Sequence, residues 1–187
     1  MKIKNRYLLG VLVSAGLFSQ GVMADNHTVS VGYAQSKVQD FKNLRGVNVQ
    51  YRYEWDSPFS VLGSFSYMKG DESYLLREND SGYDGKTDVK YYSLLAGPAY
   101  RINDYVSLYG LAGFAHTKVE DKTTYLTGYR ETYNYSGTEF AYGAGIIINP
   151  MDYLSVSLGY EGSKTKSGEA GGSHSINGFN LAVGYRF

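Results

Sequence analysis

Eight separate stretches of this chain alternate bulky apolar residues with small or polar ones at a period of two, and none sustains the 3.6-residue period of an amphipathic helix. The bulky phase runs Val29, Val31, Tyr33 in the first, then Val47, Val49, Tyr51, Tyr53, Trp55, then Val61, Gly63, Phe65, Tyr67. It continues as Tyr92, Leu94, Ala96, Pro98, Tyr100 and as Val106, Leu108, Ala112, Phe114, although Tyr109 and Leu111 fall on the opposite phase of that fifth stretch. Phe140, Tyr142, Ala144, Ile146, Ile148, then Leu154, Val156, Leu158, Tyr160, then Phe179, Leu181, Val183, Tyr185, Phe187 complete the set. Successive side chains of a strand point to opposite faces, so each stretch reads as a strand with one apolar face. Composition agrees: 20 Tyr and 8 Phe favour strands, and 23 Gly would weaken helices.

A soluble sandwich also alternates, so the content of the second phase decides the setting. A solvated face would carry charge throughout. Here it carries Ser30, Gly32, Ala34, Ser155, Ser157, Gly159, Ala182 and Gly184 with a few charges between. Small polar residues suit the cramped interior of a narrow barrel, with the bulky phase turned to lipid. The connections alternate as well: Asp56-Ser57-Pro58, Asn103-Asp104 and Asn149-Pro150-Met151-Asp152 are short, while polar stretches at 38–44, 70–88, 120–136 and 166–174 are long. The expected fold is an all-β, eight-stranded, up-and-down antiparallel transmembrane barrel with four extracellular loops, three short periplasmic turns and both termini on the periplasmic side. Pro98 cannot donate to a ladder, which predicts a local bulge there.

The chain opens with Lys2, Lys4 and Arg6, an apolar run from Tyr7 to Phe18, and Val22-Met23-Ala24. That layout is a secretory signal, too short for a helical anchor, and it predicts cleavage after Ala24 and a mature barrel over residues 25–187. Eighteen basic and eighteen acidic residues balance in the whole chain; without the first three cations the remainder has 15 against 18, a formal charge of −3. Nothing in that balance calls for nucleic acid. With no cysteine, disulfides and thiolate metal sites are excluded.

Several motifs together resemble one family. Gly32-Tyr33-Ala34-Gln35-Ser36, Tyr51-Arg52-Tyr53-Glu54, Ala96-Gly97-Pro98-Ala99-Tyr100-Arg101, Tyr142-Gly143-Ala144-Gly145, Asn149-Pro150 and Gly184-Tyr185-Arg186-Phe187 look like the Ail/Lom/OmpX proteins, over essentially the whole mature chain. Val38-Gln39-Asp40-Phe41-Lys42-Asn43, Tyr160-Glu161-Gly162-Ser163 and Asn177-Gly178-Phe179-Asn180 resemble its Rck and PagC branch most. The resemblance implies an enterobacterial outer-membrane protein and, for some members, host-cell adhesion, invasion and resistance to complement. Partners of that kind would be extracellular-matrix proteins, cell-surface receptors or complement regulators met by the outer loops. The terminal aromatics Tyr185 and Phe187 resemble the signal read by the outer-membrane assembly machinery.

Strand parity divides the charges. Arg52, Glu54, Arg101, Glu139, Glu161 and Arg186 share the lumen phase and are expected to pair into a network that plugs the barrel, because an unpaired buried charge is costly. Lys37, Arg45, Lys69, Lys90, Lys118, Lys164 and Lys166 lie on the lipid-facing phase near the outer strand ends. They read either as solvated, snorkelling strand-end charges or as a basic belt that meets lipopolysaccharide phosphates. Tyr53, Trp55, Tyr100 and Tyr185 at one end and Tyr67, Tyr92, Phe140 and Tyr160 at the other suit interfacial girdles.

A catalytic alternative has little to build on. Of three histidines, His27 follows the expected cleavage site, His116 adjoins Thr117 and His174 lies between Ser173 and Ser175; strand neighbours point apart, which works against a nucleophile–base pair. Asp71-Glu72 and Glu120-Asp121 lack the ligand spacing of a calcium loop. No cofactor or metal site is expected, and the reading is a non-enzymatic surface protein. A purely structural envelope barrel is the alternative, and a lipid-modifying enzyme a third.

Overall fold

A strand in lipid has to satisfy every N–H and C=O within its own sheet, and only a closed sheet has no edge. The computed structural model describes residues 27–38, 43–78, 81–125, 129–167 and 172–187, and there the eight alternating stretches are eight strands closed into one antiparallel barrel in chain order. They are β1 (His27–Val38), β2 (Asn43–Glu54), β3 (Phe59–Glu78), β4 (Ser81–Arg101), β5 (Val106–Tyr125), β6 (Arg130–Met151), β7 (Leu154–Ser167) and β8 (Gly172–Arg186). The signal segment and its cleavage after Ala24 lie outside the described residues. At the seam, β1 pairs with β8, and His27 and Phe187 exchange both backbone hydrogen bonds at 3.0 and 2.8 Å.

The stagger of the barrel can be read from one row of ladder partners. It starts at Ser136 on β6, passes Lys118, Lys90, Lys69, Arg45, Gln35, Phe179 and Tyr160, and returns to β6 at Ala144, eight residues further along. With about 3.3 Å per residue and about 4.8 Å between strands, that shear tilts the strands by roughly 35°. Each residue then advances roughly 2.7 Å along the barrel axis. Tyr92 and Tyr100 on β4, eight residues apart, are therefore separated by roughly 22 Å of depth, close to the apolar band of an outer-membrane barrel.

Every bulky phase faces outward: Leu94, Phe114, Phe140, Leu158 and Val183 are all about half exposed or more. Rings mark both borders of the band. Tyr67 and Tyr92 lie 5.0 Å apart at the outer one; Tyr53 and Trp55, Phe59 and Tyr100, and Tyr185 and Phe187 pair at the inner one. His27 joins the inner ring, stacked on Phe187 and hydrogen-bonded through Nδ1 to Tyr51 Oη at 2.7 Å.

The lumen is less uniformly small than the sequence suggests. Leu44, Leu62, Met68, Tyr91, Leu95, Tyr109, Leu111, Ile147 and Ile176 are buried inside it among the serines. Glycines make this possible. A Cβ at Gly145 or at Gly159 would overlap the Tyr109 hydroxyl, so this ring lies across two adjoining strands where side chains are missing. Gly159→Ala is expected to lower the unfolding free energy in detergent by about 1–3 kcal/mol, as overpacking does. An unchanged urea midpoint would mean that Tyr109 swings aside freely.

Two expectations need correction. Pro98 makes no bulge: the β4–β5 register is the same at Ala96↔Ala112 and Ala99↔Tyr109, with the intervening ladder simply interrupted. The shift in register occurs instead between Ile148 and Met151, where Pro150 interrupts the β6–β7 ladder before its last pair, Met151↔Leu154. Among the described residues, the stretches 70–88 and 120–136 are mostly strand rather than loop. β3 and β4 stay paired from Gly70↔Val89 out to Glu78↔Ser81, and β5 and β6 out to Thr124↔Arg130.

Candidate functional site

Inside the barrel, the expected charge network is divided. Glu54 gathers three guanidiniums: Arg52 at 3.0 Å and Arg101 at 2.5 Å on Oε1, and Arg186 at 3.1 Å on Oε2. Arg52 also donates to Ser60 Oγ and, across the lumen, to Ser107 Oγ. Glu161 lies apart, buried, and accepts from Tyr91 Oη at 2.7 Å and Ser66 Oγ at 3.1 Å. Glu139 is half-buried further out, facing Ala115 of β5. Between these groups Gln50 donates to Asn180 and accepts from Ser157, joining β2 to β8 and β7. Parity placed all six charges on the inner face; the stagger decides which of them meet.

The outer rim carries the other set. Arg45, Lys69, Lys90 and Lys118 are direct ladder neighbours on β2, β3, β4 and β5, so four cations stand side by side on the outward face. Like charges placed directly opposite are unfavourable. Among the described residues none of the four makes an ion pair. Lys37 and Lys164 are exposed on β1 and β7; Lys166 stands opposite Ser173 in the β7–β8 ladder. From the tilt and the register, all seven fall within about 8 Å of depth, just outside the apolar band. β6 interrupts the belt with Ser136, Thr138 and Phe140.

Above this tier the charges alternate. Two residues outward on the same face stand Asp71, Asp88 and Glu120, again ladder neighbours, and two further out Lys86 and Lys122. The acids bond to the outer lysines: Lys86–Asp88 at 3.4 Å and Lys122–Glu120 at 2.6 Å. A recess of about 320 Å³ spans the lower two tiers between Asp88, Lys90, Lys118, Glu120, Asn134 and Ser136. A second, of about 380 Å³, lies over Asn43, Arg45, Lys69, Gly70 and Asp71.

Four strands continue past the rim as a free-standing sheet. The β2–β3 ladder ends outward at Arg45↔Lys69 and the β6–β7 ladder at Ala141↔Ser163, whereas β3 runs on to Glu78, roughly 24 Å beyond Lys69. Lys86, Lys122, Thr124 and Arg130 border a shallow recess of about 520 Å³ on its outward face. Tyr129 and Tyr133 near its tip are 62 and 66% exposed. A hydrophilic sheet standing on a lipid-faced barrel is a surface display scaffold.

Comparison with known proteins agrees with that architecture. Residues 10–187 match the model of the outer membrane protein beta-barrel domain. The chain is 45% identical to the virulence membrane protein PagC of Salmonella typhimurium, over 99% of this chain and 100% of that one. It is 38% identical to the attachment invasion locus protein of Yersinia enterocolitica, covering 88% and 87% of the two chains. The chain belongs to the Ail/Lom/OmpX family. The crystal structure of Ail from Yersinia pestis in complex with the heparin analogue sucrose octasulfate aligns with a TM-score of 0.66 and 38% identity, over 87% of this chain and 99% of that one. This Ail/Lom/OmpX protein is accordingly an outer-membrane barrel of a Gram-negative bacterium. Its named relatives are virulence and attachment proteins rather than enzymes.

Its histidines sit in structural company. His116 Nδ1 is 2.8 Å from Thr138 Oγ1 on the neighbouring strand, while Thr117 points into the lumen. His174 is half-buried opposite Thr165. Among the described residues no group of three His, Cys, Asp or Glu could hold a metal.

Proposed function

We propose that this protein is a non-enzymatic surface adhesin and serum-resistance factor whose projecting β3–β6 sheet binds polyanionic host molecules. The observation that carries this reading is the sheet itself. It holds Lys86, Lys122 and Arg130 beside Asp84 around one recess, with Lys86 and Lys122 also paired to Asp88 and Glu120, and exposed tyrosines at its tip, well clear of the membrane. Cations supply attraction to sulfated or phosphorylated polymers, and rigid tyrosines supply contact area at little entropic cost. The Ail structure with a sulfated heparin analogue supports the same ligand class. Extracellular-matrix proteins, cell-surface receptors and complement regulators are the host partners this reading names.

Shortening both hairpins to the rim, by removing 72–87 and 120–134, tests it. The barrel should still fold, retaining its heat-dependent gel mobility, while binding to heparin, adhesion to host cells and survival in serum are lost. Full heparin binding by the shortened barrel would overturn the proposal.

At the rim, the belt of Lys37, Arg45, Lys69, Lys90, Lys118, Lys164 and Lys166 faces lipopolysaccharide phosphates in this reading. Four like charges with no protein counter-ion favour an external anion over simple solvated charge. Tyr185 and Phe187, outward on β8 and at the chain end, serve as the signal for the assembly machinery. Residues 1–24 act as the export signal.

A further inference from the structure

We propose that the recess between β4, β5 and β6 is a site for a zwitterionic, phosphoethanolamine-type headgroup, with its phosphate on Lys90 and Lys118 and its ammonium on Asp88 and Glu120. The inference rests on the belt facing phosphates and adds a chemical selectivity to it. Lys90↔Lys118 and Asp88↔Glu120 are two ladder pairs on one outward face, two residues apart along both strands. Same-face positions at that spacing are about 6.6 Å apart, an interval that a phosphate and an ammonium joined by two carbons can bridge.

The free valences match. Lys90 and Lys118 have no ion pair among the described residues. Asp88 meets Lys86 at 3.4 Å and Glu120 meets Lys122 at 2.6 Å, each contact approaching its carboxylate from the outer tier. A carboxylate accepts several hydrogen bonds, so these pairs leave room for an ammonium. Asn134 and Ser136 of β6 add neutral hydrogen-bonding groups at the two tiers.

Polarity sets the orientation. The positive tier is nearer the membrane and the negative tier further out, which is the order of a headgroup whose phosphate joins the lipid and whose amine is distal. A bare phosphate would use the lower tier alone, and a second phosphate above it would be repelled by Asp88 and Glu120. The recess over β2 and β3 repeats the arrangement, with Arg45 and Lys69 below Asp71.

The test uses the full barrel refolded in a neutral detergent, titrated with O-phosphoethanolamine, inorganic phosphate or ethanolamine and followed by NMR at Lys90 and Lys118. O-phosphoethanolamine should bind several-fold more tightly than phosphate. Asp88→Asn with Glu120→Gln should erase that preference and keep phosphate binding; Lys90→Gln with Lys118→Gln should lose both. Nanodiscs containing phosphatidylethanolamine, and lipopolysaccharide with or without phosphoethanolamine, then identify which lipid supplies the group. Equal binding of the two soluble ligands overturns this inference and leaves the belt standing. If neither ligand moves the lysine signals, the belt fails at this recess as well.

Discussion

Replacing Glu54 with alanine or glutamine is expected to lower the unfolding free energy of the barrel by about 3–5 kcal/mol, the usual consequence of stripping one partner from a buried ion pair. The reason is stoichiometric. One carboxylate, 3% exposed, serves Arg52, Arg101 and Arg186, so three guanidiniums already surround a single negative charge. Removing it takes the counter-ion from the equally buried Arg52 and the acceptor on which Arg101 and Arg186 converge. Glutamine keeps the shape and part of the hydrogen bonding, yet carries no charge, so it should behave like alanine. Arg101 is one-third exposed and can turn to water, so Arg101→Ala should cost much less, and adding it to Glu54→Ala should recover part of the loss. Urea midpoints and refolding yields in detergent measure all of these. A Glu54→Gln barrel within 1 kcal/mol of the parent would show that the arginines are hydrated and that the lumen is wetter than its packing indicates.

Most of the barrel was legible because lipid enforces alternation. Where one face meets acyl chains and the other a narrow lumen, each strand advertises its phase, and even the ambiguous fifth stretch resolves once Tyr109 and Leu111 are accepted as lumen residues. The pattern fades where its cause ends. The apolar core ends at Val89 and Val119, so 70–88 and 120–136 lose their apolar phase and resemble loops, although their described backbones remain paired. Depth was the other hidden quantity. Parity assigns Glu161 and Arg186 to the same face, but the eight-residue stagger puts Arg186 at Glu54 and Glu161 with Tyr91 and Ser66. The alignment of Arg45, Lys69, Lys90 and Lys118 into one row likewise depends on register, which no single strand reveals.

That row leads to an expected reversal of sign. In a neutral detergent its three adjacent like-charge pairs have no counter-ion, so changing Arg45, Lys69, Lys90 and Lys118 together to glutamine should stabilise the isolated barrel, by roughly 0.2–1 kcal/mol for each pair relieved. In an anionic outer leaflet the same change should weaken association. At about 1 kcal/mol per cation near a charged lipid surface, four replacements amount to roughly 4 kcal/mol, on the order of a thousandfold in affinity for lipopolysaccharide. Salt should shrink both effects, because exposed charges are screened. Unfolding in detergent and co-sedimentation with lipopolysaccharide at two ionic strengths measure the pair of outcomes. If the glutamine variant were less stable in detergent, the four side chains would be held by protein contacts rather than waiting for a lipid anion. If it bound lipopolysaccharide as tightly as the parent, the belt would be ordinary solvated charge at the strand ends.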